Sequence, residues 1–243
     1  MYYWVMNVRP NDYDGFAEAY SAENENSLVS AYYERHAMLA LAGDVDGRHV
    51  LDAGCGSGPL AAALASRGAA VTGVDASPRM LALARRRLGE TVPLLELDLR
   101  DPMPFGTGTF DDVVASLVLH YLEDWGPTLT EVRRVLRPGG RLLASVDHPI
   151  IAYLHDEPLP DYFSVGTYSF DWTLGDQTVP MSFWRRPLHA MTDAFTEAGF
   201  RVVRIAEPQP DPKARELFPD HFELVSTQPT FLFFVLTADV PAL

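Results

Sequence analysis

Apolar and polar positions follow two different rhythms along this chain. From residue 12 to residue 42, apolar and aromatic positions such as Phe16, Tyr20, Leu28, Tyr32, Leu39 and Leu41 recur at roughly helical spacing. Two helices are predicted there, ending at Gly43-Asp44. After residue 48, short apolar runs alternate with helical stretches. The runs at 48–53, 70–74, 92–97, 110–116 and 141–146 read as strands, and 110–116 is nearly continuous, as burial on both faces requires. Between them, 60–67 is rich in Ala and Leu. Ser77 can cap a helix that carries Pro78 in its first turn and runs to about residue 88. The stretch 125–136 is helical and stops before Pro138-Gly139-Gly140. Repeated strand–helix units of this length predict an α/β fold with a doubly wound, seven-stranded, mostly parallel sheet.

Residues 149–186 break this rhythm and are rich in Pro, Tyr, Phe and Trp. Tyr168, Phe170 and Trp172 alternate with polar residues, Gly175-Asp176 reads as a turn, and Val179, Met181 and Phe183 alternate again. A β-hairpin within an aromatic cap is predicted. Residues 188–198 return to helix, closed by Gly199, and 200–207 with 230–237 make a final antiparallel pair. The expected organisation is an N-terminal helical arm or lid (1–45), a core (46–148), a substrate cap insert (149–186), and a C-terminal helix with strands completing the sheet (187–243).

The net charge of −14 over 243 residues disfavours a nucleic-acid partner, because an acidic surface repels phosphate backbones. The single cysteine, Cys55, cannot form an intramolecular disulfide. Met1-Tyr2-Tyr3-Trp4-Val5 lacks the basic and apolar regions of a signal peptide, and no apolar run reaches the roughly 18 residues of a membrane span. A cytoplasmic protein without membrane attachment is expected, as a monomer or homodimer.

Three glycines at alternate positions, Gly54, Gly56 and Gly58, follow the first strand directly. Such a turn lets backbone pass close to a ligand, and open parallel sheets bind ligands beyond the carboxyl ends of their strands. The dinucleotide pattern G-x-G-x-x-G meets Pro59 at its third place when counted from Gly54. Counted from Gly56 it meets Ala61, which some variants allow. A nicotinamide-dependent oxidoreductase therefore stands as an alternative. Asp52 would oppose a pyrophosphate but suits a ligand carrying an ammonium group. Asp75 closes the second strand about 20 residues on, where a carboxylate can accept both ribose hydroxyls. Asp98, in Leu97-Asp98-Leu99, can accept from the exocyclic amine of adenine, with Leu99 beside the ring.

Together, Asp52-Ala53-Gly54-Cys55-Gly56-Ser57-Gly58, Gly73-Val74-Asp75, Leu97-Asp98-Leu99, Phe110-Asp111-Asp112-Val113-Val114 and Leu136-Arg137-Pro138-Gly139-Gly140 resemble the ordered motifs of class I S-adenosylmethionine (SAM)-dependent methyltransferases. The match covers roughly residues 48–147. It implies a Rossmann-like sheet, SAM as cofactor and S-adenosylhomocysteine (SAH) as product. It further implies that Gly54 and Gly56 lie under the methionine part, that Asp52 helps hold the amino group, and that Asp75 binds ribose and Asp98 adenine. Ala76 and Met80 would line the adenine side, while Ser116, Leu117 and His120 lie near the donor methyl. Cys55 and Gly58 share the same turn and are grouped with the cofactor contacts. A catalytic role for the Cys55 thiol would need a local base or positive field. A non-catalytic SAM-binding protein is the remaining alternative.

Methyl transfer from a sulfonium is an in-line displacement, so positioning supplies much of the catalysis. A base is needed only if the nucleophile arrives protonated. His148, after the fifth strand, and His120, after the fourth, are the base candidates. His36 and His189 fit helix faces or the cap better, and no spacing suggests a metal. Some family members carry an Asn/Asp-Pro-Pro-Tyr motif after strand four; here the stretch is Ser116-Leu117-Val118-Leu119. With the acidic charge, this points to O-, N- or C-methylation of a small organic acceptor, of the kind met in natural-product biosynthesis. Tyr20, Tyr121, His148, Tyr168 and Trp184 are the candidate substrate contacts. Arg185-Arg186 could bind an acidic substrate but reads better as a solvated pair.

Overall fold

The computed structural model describes residues 11–174 and 177–238; Tyr3, Trp4 and the expected turn at Gly175-Asp176 lie outside them. Strands β1 (His49–Ala53), β2 (Ala70–Asp75), β3 (Leu94–Glu96), β4 (Phe110–Ser116) and β5 (Leu136–Asp147) run parallel. Strands β6 (Gly166–Leu174) and β7 (Gln177–Arg185) pair only with each other, as the predicted hairpin. Strands β8 (Phe200–Ala206) and β9 (Phe231–Ala238) add an antiparallel edge, and the seven-stranded order is β3-β2-β1-β4-β5-β9-β8. The order reverses between β1 and β4, which is where such sheets open a ligand crevice.

Helix α1 (Tyr13–Asn26) is followed by a wide-turn stretch, Leu28–Glu34, that continues directly into α2 (Arg35–Ala42). The arm is thus two helical rods, the second opening with turns of i→i+5 type that helical spacing alone does not distinguish. Helices α3 (Pro59–Ala65), α4 (Pro78–Leu88) and α5 (Gly126–Val135) cross between the parallel strands. The Ser77 hydroxyl caps α4 by accepting from the Met80 N–H at 3.0 Å. Three short helices escaped the periodicity: α6 (Pro149–Leu154), then, beyond α7 (Leu188–Glu197), α8 (Ala214–Leu217) and α9 (Pro219–Thr227). The β3 strand is shorter than its apolar run because it sits at the sheet edge and pairs only with Gly73, Val74 and Asp75.

Val113, Val114 and Ala115 of β4 are buried, as the continuous apolar run required. The end of the sheet away from the crevice is fastened by charge. Asp112 accepts from Arg48 and Arg141, Asp111 from Arg137. A Cβ on Gly140 would lie 2.9 Å from the carbonyl oxygens of Arg137 and Asp111. The later sequence motifs are therefore structural here. Among the described residues, no helix is long and apolar enough to cross a membrane.

Candidate functional site

The glycine turn leaves β1 and is pinned at once to its neighbour: the N–H groups of Gly54 and Cys55 both donate to the Val74 carbonyl, at 2.8 and 2.9 Å. All three glycines have positive φ. A Cβ on Gly54 would meet Val118 Cγ2 at 2.5 Å, so Val118 packs over a bare backbone. Gly56 faces open space. Gly58 behaves differently. It starts α3, lines no part of the cleft, and a Cβ there would press on Leu88 and Ala84 of α4. Its counting among the cofactor contacts is replaced by a helix-packing role.

Beyond the strand ends lies a cleft of about 420 Å³. Asp75 stands at its centre. Its carboxylate accepts from the Gly56 N–H at 2.8 Å and the Ser77 N–H at 2.9 Å, which fixes its orientation; burial still raises its pKa. Ala76, Met80, Leu97 and Leu99 form an apolar slot beside it. Asp98 closes that slot, and the Arg100 guanidinium grips it through Nε at 2.9 Å, holding its pKa down. Ser116 and Leu117 line the opposite wall.

A smaller chamber of about 60 Å³ opens from the same turn and contains Asp52 and Cys55. Asp52 is 1% exposed, and neither carboxylate oxygen has a hydrogen-bond partner. Burial, with Asp75 and Glu34 nearby, pushes its pKa up to about 7. Leaving a buried carboxylate unsatisfied costs several kcal/mol, of order 2–7 even for neutral polar groups, so the chamber is shaped for a cationic ligand group. The Cys55 thiol is buried, and its pKa is driven upward, which keeps it an unreactive thiol.

The acceptor candidates separate. Tyr20 and Tyr121 line the cleft, joined by Tyr13 and Asn11 of the arm. The hydroxyls of Tyr13 and Tyr121 hydrogen-bond to each other, and burial raises both phenols, so they remain protonated donors. Burial also raises Tyr20, to about 12. Tyr168 lies behind this wall, donating to Asp147 Oδ2 at 2.5 Å, and packs on Phe183. Trp184 falls on the opposite side of β7 from Phe183, outside the aromatic cluster and the cleft.

His148 is fully engaged elsewhere. Its Nδ1 accepts from the Ile150 N–H as the cap of α6, and Nε2 pairs with Glu207 at 2.9 Å. With both ring nitrogens engaged and no part in either chamber, it is not retained as base or substrate contact. His120 also lines neither chamber; it packs behind the cleft wall against Tyr121 and Phe183, and its Nδ1 lies 3.5 Å from Asp147 Oδ2 without a hydrogen bond to it. Burial lowers its pKa, which keeps the imidazole neutral. Arg185 holds the carbonyls of Asp161 and Ser164, and Arg186 lies over the Trp125 ring, so the pair is half-buried and engaged rather than freely solvated. Another surface cleft, of about 450 Å³ between α5 and α7, shares no residue with the glycine turn.

Sequence reading missed Glu34, Asn11 and Arg100. The first two belong to the arm, where no motif marks them. Arg100 was visible two residues after Asp98, and its clamp follows from that spacing.

The model of the family described as "Methyltransferase domain" matches residues 51–144. An uncharacterized methyltransferase from Synechocystis is 34% identical over 161 residues, covering 65% of this chain and 69% of that protein. This chain belongs to the class I SAM-dependent methyltransferases. A demethylmenaquinone methyltransferase from Tropheryma whipplei is 35% identical over 135 residues, covering 55% of this chain; the matched stretch spans just over half of that relative, 56%. A solved SAM-dependent methyltransferase from Mesorhizobium loti superposes with a TM-score of 0.70 at 26% identity, covering 88% of this chain and 99% of that one. The family match begins and ends within the core sheet, so the arm and the β6–β7 hairpin lie outside it.

Proposed function

We propose that this methyltransferase binds SAM across the cleft and chamber and transfers its methyl group to a small organic acceptor beneath the arm and the hairpin. The observation that carries this is the pairing of an orphaned buried carboxylate, Asp52, with a backbone-fixed one, Asp75, on either side of one glycine turn. Asp52 would hold the ammonium, Asp75 the ribose hydroxyls and Asp98 the adenine amine, with Met80 and Leu99 on the ring. Bound there, SAM supplies a methyl group already activated by its sulfonium.

The chain's own part is positioning, water exclusion and proton removal. Tyr13, Tyr20 and Tyr121 roof the cleft, and their neutral hydroxyls can donate to an acceptor oxygen. Edge-on packing of Tyr20 against Trp172, at 5.6 Å between centroids, closes the arm on the hairpin and keeps water out. Where the acceptor must lose a proton, this reading gives the task to His120, which packs against Tyr121 just behind the cleft wall. With the Asp147 carboxylate 3.5 Å away on the Nδ1 side, Nε2 would be the nitrogen to take the acceptor's proton. The relative from Tropheryma whipplei, whose name specifies a small-molecule acceptor, supports this substrate class. The test is incubation of the full chain with SAM and a library of phenolic, enolic and amine acceptors, reading SAH release and product mass. SAH release with an acceptor supports the reading. Tight SAM binding without turnover on any acceptor favours a non-catalytic SAM-binding protein. Thermal stabilisation by NAD, with none by SAM, favours the oxidoreductase.

A further inference from the structure

The chamber beside the glycine turn holds two buried acids, and one of them comes from an element outside the family match. Glu34 is 4% exposed and ends the wide-turn stretch Leu28–Glu34. Wide turns of this type are rare and concentrate at functional sites. This one delivers Glu34 to the ends of two core strands. Glu34 Oε1 accepts from the Ser116 hydroxyl of β4 at 2.8 Å and from the Ser145 hydroxyl of β5 at 2.6 Å. Ser145 in turn accepts from the Leu117 N–H at 3.0 Å, and Leu117 carries a positive φ of 47°. The carboxylate is therefore held at one oxygen by a chain running back into the wall of the cofactor cleft.

Two carboxylates confined in one small space oppose each other's ionisation, and burial raises both. The fold offsets this only for Glu34, through Ser116, Ser145 and the charge of Arg35 in the same chamber; Asp52 has no hydrogen-bond partner, and Arg35 makes no ion pair with either acid among the described residues. The serine pair favours ionised Glu34, so a cation entering the chamber would meet a charge already held in place. With Arg35 alongside, the chamber offers two anions and one cation, the complement of a zwitterionic amino-acid end.

We propose that Glu34 is a second ammonium-binding acid, which with Asp52 reads the α-amino group of the donor and so ties cofactor recognition to the seating of the N-terminal arm. This rests on the SAM reading above. Family motifs account for Asp52; Glu34 is a positioning and specificity residue supplied by the arm.

The test is calorimetry of the full chain with SAH and with 5′-methylthioadenosine, which keeps the ribose and adenine but lacks the amino-acid end. In Glu34→Gln the affinity for SAH should fall at least tenfold while that for 5′-methylthioadenosine changes less than twofold. Because glutamine still accepts from Ser116 and Ser145, the unliganded melting temperature should hold or rise. Should Glu34→Gln fail to fold, Ser145→Ala loosens the same carboxylate and should lower SAH affinity about threefold, again sparing 5′-methylthioadenosine. Equal losses for both ligands, or an unchanged SAH affinity, would overturn the proposal and leave Glu34 a structural bridge. Wild-type protein that binds neither ligand would overturn the SAM reading and the proposal with it. Wild type that binds both ligands with equal affinity would overturn the proposal, and the ammonium role of Asp52 with it, while ribose and adenine binding would stand.

Discussion

The donor side of the cleft is built from backbone turns at strand ends, whereas the acceptor side is built from aromatic side chains of an arm and a hairpin that share no strand with the main sheet. On the donor side, the central groups are fixed by the main chain: Asp75 by two N–H groups, the glycine turn by the Val74 carbonyl. On the acceptor side, Tyr13, Tyr20, Tyr121 and Trp172 hold one another by ring contacts between 5.0 and 5.9 Å. Backbone-fixed recognition suits a ligand that never changes. A roof of side chains can be re-cut for a new acceptor without disturbing the sheet.

The sharpest way to break this contrast is Asp75→Ala. It removes the ribose acceptor and frees two N–H groups of the turn, and hydrogen bonds to a charged group are worth ~1.5–3 kcal/mol each. SAH affinity should drop about 100-fold or more by calorimetry, while the acceptor side stays intact. Next is His120→Ala, which should lower kcat by about 10² or more and leave SAH affinity within twofold, as expected for loss of a general base. Because burial lowers the His120 pKa, kcat at saturating SAM should stay flat down to the ordinary histidine range near 6.5 and fall only below it. Equal effects of Asp75→Ala and His120→Ala on SAH affinity would erase the division between donor and acceptor sides.

A smaller effect separates the two sides by pH. Asp52 titrates near 7 in the fold against an ordinary value of 3.8, because it is buried beside other acids. A raised acid favours the fold while protonated, so the unliganded protein should lose stability as pH rises from about 4 to 7. Affinity for the ammonium-bearing SAH should climb over the same window, by at most about tenfold per pH unit, and binding near pH 6 should release a proton. Calorimetry in two buffers of different ionisation enthalpy measures that release. The smallest effects belong to His148→Ala and Trp184→Ala. Both side chains lie outside the cleft, and each variant should change turnover less than about threefold in a SAH-release assay.

How much of this was legible in the sequence follows the same division. Gly54, Gly56, Asp75 and Asp98 were readable because main-chain recognition needs set residue types at set spacings. The β4 run and the hairpin alternation were readable because burial on two faces or on one leaves a different pattern. Glu34 was not, since the register of the wide turn that aims it depends on packing against β4 and β5 rather than on spacing. His148 follows a strand at the correct sheet edge, yet a local contact, the cap of α6, claims its ring. Gly58 belongs to the motif, but its hydrogen faces Leu88 rather than the ligand, a distinction that only packing reveals.

Titration of the full chain with SAH, alongside Asp75→Ala and His148→Ala, tests the central claim most directly. The account predicts one binding site in wild type, retained in His148→Ala and lost in Asp75→Ala. No heat of binding with SAH at millimolar concentration, or equal loss in the two variants, would contradict it.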